Sequence, residues 1–323
     1  MKEHLDILKD SLIQNTYQDI KSIKIQGATN VALATTNTTI DWLKANQHRL
    51  KQYSNKEIIN ITIAIIKHLA YARPNEPLAV NALRYFLFYS QDLVDSPLNI
   101  VSGIQNILEQ YLALIQDSKK ELIKWALPLL VPTSILFTHC HSSTAEKVII
   151  ESNKLKPKTV IATETRPLYQ GRITARNLTK HNVQTIMIVD SASAYFISDT
   201  SYLDVDAVLL GADQILSNGA TVNKVGSFSI SLSSHVFKKP LYIVSPSLKF
   251  DPTTDTKHLQ IELRPAKEIW KSAPKELKII NPAFELIPPQ FITGFITELG
   301  VLKPHELEPA VKEAYPWITT KIN

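Results

Sequence analysis

The sequence predicts an α/β chain, with a helical N-terminal domain over residues 1–128 and a second domain over residues 129–323 built on a central, mostly parallel sheet. Three observations lead there. From Lys2 to about Lys124 apolar residues recur at helical spacing; Val101, Ile104, Leu108, Leu112 and Ile115 share one face of a 3.6-residue repeat. After Pro128 short apolar runs alternate with amphipathic segments. At 323 residues the chain has room for two domains of the usual ~100–200 residues each.

In the helical half, Ile58 to Leu69 is apolar nearly all round, as expected of a helix buried inside its domain, and Arg73-Pro74 closes it. Two turns, IKIQGATNVAL and ARPNEPLAVNAL, each feed a helix. The first carries Gly27, which permits close backbone approach to a bound group. The second carries Arg73, either a long-range ligand for an anion or a surface residue at a helix end. In the second half, Ser134–Thr138, Thr159–Ala162, Thr185–Val189, Ala207–Leu210 and Leu241–Val244 read as buried parallel strands separated by helices, a Rossmann-like arrangement. The proline-rich stretch Arg264–Pro304 predicts a wrapped segment with a final short helix near Pro289–Leu299. There is no internal repeat and no low-complexity linker.

Apolar residues at 44% and charged residues at 20% describe an ordinary globular protein and argue against long disorder. The net charge of +5 is the small remainder of 35 basic and 30 acidic side chains: a mixed surface, mildly attractive to anions, without a concentrated arm for nucleic acid. No stretch approaches the ~18 apolar residues of a membrane span, and MKEHLDILKDSL mixes charges into its apolar positions. A soluble, cytoplasmic protein with no membrane partner is expected. Cys140 is the sole cysteine, so no internal disulfide can form and a reducing compartment is the simplest assumption.

In open α/β sheets ligands bind beyond the carboxyl ends of the strands, so the residues after each run carry the chemistry. ILFTHCHSSTAEKV places Cys140 at the end of the first strand and Ser142, Ser143 and Thr144 where a helix begins. Free N–H groups and the positive dipole end there would bind a phosphate and lower the pKa of a neighbouring thiol. Taken alone, Cys140 reads better as a small buried hydrophobe and either serine as an N-cap. His139 and His141 flank the thiol, but on a strand end they point away from its side, which disfavours a metal or Cys–His site. VLLGADQILSNGATVNKVGS places Asp213 three residues past the fourth strand, and Asn223-Lys224 ten residues further at a predicted helix start. Asp213 can serve as an acid and Lys224 as a phosphate-binding cation; singly, each is also a turn former or a solvated lysine. Arg166, Arg172 and Arg176 crowd one loop-to-helix junction, where arginine clamps an anion or pairs with Glu164 to fix the loop.

These blocks resemble the family that unites ribose-1,5-bisphosphate isomerase, methylthioribose-1-phosphate isomerase and the alpha, beta and delta subunits of the exchange factor for translation initiation factor two. IKIQGA, ARPNEPLAVNAL, THCHSS, TETRPLYQGRITARNL, GADQILSNGATVNKVGSF, YIVSPSLKFD, ELRPAKEIW and NPAFELIPPQFITGFITELGV run in order over most of the chain. The resemblance implies Cys140 and Asp213 as catalytic residues. It further implies that substrate phosphates are held by the Gly27-Ala28 turn with Gln26 before it, Arg73, Ser142, Ser143, Asn223, Lys224 and Lys249. Regulatory members lack the cysteine–aspartate pair, whereas both residues are present here. His141-Ser142-Ser143 and TETRPLYQGRITARNL look more like the ribose-1,5-bisphosphate branch than the methylthioribose branch. Two features depart from the pattern. Gln26 stands where the family carries arginine, removing a charge-assisted phosphate contact. The ARPNEPLAVNAL block is longer than the usual form between Pro74 and Val80.

The reaction implied is isomerisation of ribose 1,5-bisphosphate to ribulose 1,5-bisphosphate, with methylthioribose-1-phosphate isomerisation or a non-catalytic sugar-phosphate- or nucleotide-binding subunit as alternatives. The oxygen on C1 is esterified, so the ring can open only if one group protonates the ring oxygen while another removes the C2 proton. Asp213 is expected as protonated acid and Cys140 as thiolate base, their environments pushing the two pKa values in opposite senses. No metal or redox cofactor is needed. The resemblance also implies a homodimer through the second domain, or a hexamer built as a trimer of dimers, and a place in nucleotide salvage and AMP metabolism.

Overall fold

A computed structural model of the chain describes residues 6–94 and 99–322. It divides into two compact units: residues up to Asp117 with Leu248–Pro252 and the stretch from Val311 onward, and Ser118–Ser247 with Thr253–Ala310.

The first unit is helical, as the periodicity predicts. It contains α1 (Ser11–Lys21), α2 (Ala28–Ala45), α3 (Gln47–Leu50), α4 (Asn55–Ala70), α5 (Pro77–Tyr89) and the first part of α6 (Ile100–Leu130). Local signals set the starts. Asp10 caps α1, a reciprocal Ser54/Glu57 capping box opens α4, and Pro77, which has no N–H to leave unpaired, opens α5. α4 buries Ile58, Ile59, Ile61, Ile65, Ile66 and Leu69, so its apolar surface is core. On α6 the fully buried Tyr111 donates its hydroxyl proton to the Leu78 carbonyl oxygen at 2.6 Å.

The second unit carries the sheet. In chain order it has β1 (Ile135–Thr138), α7 (Ser143–Leu155), β2 (Thr159–Thr163), α8 (Gly171–Lys180), β3 (Gln184–Ile188), α9 (Ser193–Ile197), β4 (Ala207–Leu210), β5 (Gln214–Leu216), β6 (Thr221–Lys224), α10 (Ser227–Val236) and β7 (Leu241–Val244). After β8 (Phe250–Asp251), which belongs to the first unit, follow β9 (Phe284–Ile287), β10 (Gly294–Thr297), β11 (Gly300–Leu302) and α11 (Pro304–Ala314), whose residues from Val311 onward belong to the first unit. The main sheet has seven strands in the order β11-β10-β7-β4-β1-β2-β3. Every pair is parallel except β10 with β11, and Leu136 on β1 stands opposite Val160 on one side and Ala207 on the other. Leu136, Val160, Leu209, Val244 and Ile296 meet Val148, Ile149 and Leu178 of the helices in one core. The five predicted strands are all present: the inner four are runs with little or no exposure, which need no alternation to be strands, while β3, at the sheet edge, is partly exposed. β5, β6 and β9 pair antiparallel, with Val222 between Gln214 and Leu286.

Three local expectations are corrected. α6 runs on through Pro128 to Leu130, past the predicted change of rhythm. Pro289–Leu299 is no helix: a single 3-10 turn, Pro289–Phe291, leads into β10, which takes its ladder bonds from β7, and β11 turns back along it. Phe295, Ile296 and Thr297 are consecutive and buried, which suits a strand packed on both faces. Asn223 and Lys224 lie on β6, not at a helix start; α10 begins only after Gly226, whose φ of +107° reverses the chain. Among the described residues no helix is long and apolar enough to cross a membrane.

The first turn of α8 presses against the end of β2. A Cβ at Gly171 would stand 1.8 Å from the Thr163 carbonyl oxygen, which belongs to rigid backbone. Gly171→Ala is therefore expected to lower the unfolding free energy by roughly 2 kcal/mol or more through overpacking. Chemical denaturation of the two proteins checks this.

Candidate active site

Parallel strands with neighbouring ends bring the second-unit candidates together. β1 pairs with β4, Thr138 standing opposite Leu209, so the loops carrying Cys140 and Asp213 leave adjacent strands on the same side. They touch: a Cβ at Gly211 would lie 2.7 Å from Ser142 Cβ, so the glycine of GAD is what lets the loops close. The Asp213 N–H donates to the Val222 carbonyl oxygen at 2.9 Å, binding that loop to the strand that carries Asn223 and Lys224. Lys224 holds its ammonium 4.7 Å above the centre of the Phe284 ring, and Asn223 donates to Ser227 Oγ at 2.8 Å.

Ser142 is the N-cap of α7, its hydroxyl accepting from the Ala145 N–H at 3.3 Å, and Ser143 is the exposed first residue of the helix. Cys140 is buried and takes a left-handed backbone, φ +65°, uncommon outside glycine. Its N–H donates to Thr165 Oγ1 at 2.9 Å, its carbonyl oxygen accepts from Thr174 at 2.9 Å, and its thiol faces Gln170 Oε1 at 3.8 Å. Thr165 also has positive φ, +61°, and is held by Asp190 at the end of β3, whose carboxylate accepts the N–H groups of Thr165 at 2.8 Å and Arg166 at 2.6 Å.

Electrostatically the thiol departs from the expectation of a lowered pKa. Burial pushes Cys140 up to about 11; the Lys224 charge and the His141 N–H oppose this, and Asp213 and Asp190 add to it. Desolvation outweighs the cation and the helix start because the thiolate would lose its water while gaining few partners.

Both ring nitrogens of His139 are engaged, and His141 is engaged through its Nδ1. His139 lies buried with Nδ1 2.6 Å from Thr163 Oγ1 and Nε2 2.9 Å from the Val225 carbonyl oxygen; His141 meets Thr174 at 3.0 Å and Glu146 at 3.4 Å. Among the described residues no group of three or more His, Cys, Asp or Glu could hold a metal ion. Arg172 pairs with Glu164 at 2.9 Å and stacks on Tyr169, while Arg166 bonds the Tyr169 hydroxyl and the Ile269 carbonyl oxygen, so these two arginines fix the loop.

The first-unit candidates form their own setting. Gly27 is the N-cap of α2 with φ +86°, Ala28 begins the helix, and Gln26 is exposed with its carbonyl oxygen accepting from Asn30. Arg73 is buried and paired with Glu76 at 3.1 Å, which rules out a plain surface residue. Lys249 sits on a segment that Asn81 pins to α5 by donating to the Leu248 and Phe250 carbonyl oxygens at 2.7 and 2.9 Å. Sequence reasoning did not single out Asn81, Thr163, Thr165, Gln170 or Asp190. A signal was the pair of threonines two apart in the TET run, the first the last residue of β2 and the second just beyond it.

Residues 24–304 match the Initiation factor 2 subunit family. The chain belongs to that family. Among its curated relatives, the ribose 1,5-bisphosphate isomerase of Pyrococcus furiosus is 30% identical over 310 residues, 93% of each chain. The methylthioribose-1-phosphate isomerase of Caldanaerobacter subterraneus is 31% identical over 324 residues, 92% of this chain and 90% of that one. Among solved structures, the Pyrococcus horikoshii translation initiation factor eIF-2B superposes with a TM-score of 0.76 at 21% identity, covering 92% of this chain and 98% of the other. This last likeness bears on the fold, and it agrees with the helical first part and the mostly parallel sheet.

Burial of a neutral His139 has a pH signature. Its pKa is lowered to about 4 from an ordinary 6.5, chiefly by desolvation, so the unfolded chain binds the proton first. This contribution to stability is complete above 6.5 and is lost progressively as pH falls toward 4. Urea unfolding across that range is expected to show the decline, and His139→Gln to flatten it.

Proposed function

We propose that this family member is an aldose–ketose isomerase converting ribose 1,5-bisphosphate to ribulose 1,5-bisphosphate, with Cys140 and Asp213 as its proton-transfer pair. The observation that carries the reading is the convergence of three groups. The buried thiol stands at the end of β1 and the Asp213 carboxylate past the end of the adjacent β4, and the Lys224 cation and the Asp213 carboxylate both bear on the charge of that thiol, in opposite senses. Names and coverage of the archaeal relatives support the substrate.

In the proposed reaction Cys140 takes the C2 proton while Asp213 protonates the ring oxygen as its bond to C1 breaks, leaving a C1–C2 enol phosphate. The C2 hydroxyl proton then returns to Asp213 and Cys140 gives its proton to C1. The ketone forms at C2, the phosphates stay in place, and both side chains end as they began. Lys224, the first-turn N–H groups of α7 and Ser143 are the natural anion ligands here. Substrate binding by Gln26, Gly27, Ala28, Arg73 and Lys249 rests on the resemblance, and Gln26→Arg tests it through a lowered KM. The exposed apolar stripe Phe228, Leu232 and Val236 on α10 supports a homo-oligomer, a dimer or a hexamer. The chemistry fits a cytoplasmic enzyme of nucleotide salvage.

Methylthioribose 1-phosphate is the second candidate, favoured by the 31% identical relative, whereas Gln26 in place of the family arginine is the support for a regulatory protein. Following phosphorus resonances with each sugar phosphate separates the two. Cys140→Ser and Asp213→Asn are each expected to reduce turnover by roughly a thousandfold or more; undiminished turnover in either would sink the mechanism. Conversion of neither sugar, with ligand binding retained, would favour a regulatory protein.

Because Cys140 rests protonated, with a pKa of about 11, its thiolate fraction grows about tenfold per pH unit below that value. kcat/KM is expected to rise through neutral and mildly alkaline pH where Cys140 deprotonation limits it. A profile flat from pH 7 to about 9 would mean that the thiolate is not the base.

A further inference from the structure

Four polar groups behind Cys140 form a chain whose every proton can be placed. The Val225 carbonyl oxygen can only accept, so the Nε2 of His139, 2.9 Å away, carries a hydrogen. The ring is neutral in its buried site, so its Nδ1 is an acceptor and Thr163, at 2.6 Å, must donate to it. That spends the only hydroxyl proton of Thr163, so across the 3.2 Å contact between Thr163 and Thr165 the donor is Thr165. The hydroxyl oxygen of Thr165 accepts the Cys140 N–H at 2.9 Å. The path runs one way from Cys140 through Thr165, Thr163 and His139 to Val225, the residue next to Lys224. It joins the ends of β1, β2 and β6. Gly226 makes room for it, since a Cβ there would come within 2.8 Å of His139 Cε1.

We propose that His139, Thr163 and Thr165 are positioning residues for the isomerase reaction. Their directed chain holds the Cys140 backbone in its left-handed turn and keeps the thiol in register with Lys224. No bond is made or broken in them. A merely structural buried network would need neither a left-handed cysteine at one end nor the neighbour of the active-site lysine at the other. The inference rests on the reading of Cys140 as the reacting group.

The chain has a single cysteine, so alkylation by iodoacetamide reports on Cys140 alone. Rates measured against pH on the full-length wild type, Thr165→Val, Thr165→Ser and Thr163→Val test the proposal, with circular dichroism and urea unfolding to establish folding. In Thr165→Val the unheld N–H releases the turn, so the thiol gains water and its alkylation at pH 8 rises about tenfold or more. kcat on ribose 1,5-bisphosphate falls roughly ten- to a hundredfold with KM within about twofold, as a misplaced group requires. Thr165→Ser, which keeps the hydroxyl, recovers most of both changes. Thr163→Val breaks a different link while leaving the Thr165 acceptor in place, and it shifts both readouts in the same direction by less; it carries the test where Thr165→Val does not fold. Folded valine variants that alkylate and turn over like the wild type at every pH overturn the inference. A wild type that turns over no sugar while the valine variants expose the thiol as expected would overturn the isomerase reading, and with it the catalytic part of the inference, while showing that the chain holds the Cys140 turn.

Discussion

The left-handed turn at Cys140 is the constraint around which the second unit is arranged. A side chain at φ +65° costs of order 1–3 kcal/mol and persists only where its surroundings over-determine it. The ends of β2 and β3 and the helix α8 supply that surrounding. Thr165 and Thr174 take the two main-chain polar groups of the cysteine, and Asp190 holds Thr165 in its own positive-φ conformation. Gly211 and Gly171 let the neighbouring backbones come close enough to do so, because a Cβ at either position would collide with what it faces. Parallel pairing makes the convergence possible, since every strand from β7 to β3 ends on the same side.

The same closeness determines the electrostatics. Excluding water raises the thiol toward about 11, against the pull of Lys224, and lowers His139 toward about 4. Both shifts favour the neutral form, as low dielectric requires. A neutral histidine can accept at one nitrogen while donating at the other, so the network has a single direction. A protonated ring would have to donate at both.

How much of this was legible in the sequence follows from what each feature depends on. The helices of the first unit and the five central strands were readable because burial imposes a period or an apolar run on consecutive residues. Cys140 and Asp213 were readable as candidates from their place after two such runs, and Ser142 as a cap from its place before a helix. Pro289–Leu299 was misread because an apolar segment of that length suits a helix as well as a strand, and the ladder partners that decide, on β7, lie some fifty residues earlier in the chain. Asn223 and Lys224 were misplaced for a similar reason: what makes them a strand is pairing with Glu285 and Phe284.

What the sequence by itself determined is the class of fold, the order of its elements and the residue types available for chemistry, since these follow from local periodicity and from which side chains exist to titrate. Only the tertiary structure decided that Cys140 is buried enough to rest as a thiol, that Thr163, Thr165 and His139 connect it to Val225, and that Arg73 is matched by Glu76. Those properties depend on distances between segments far apart in the chain and on the water that their packing removes. Neither quantity is written in the spacing of neighbouring residues.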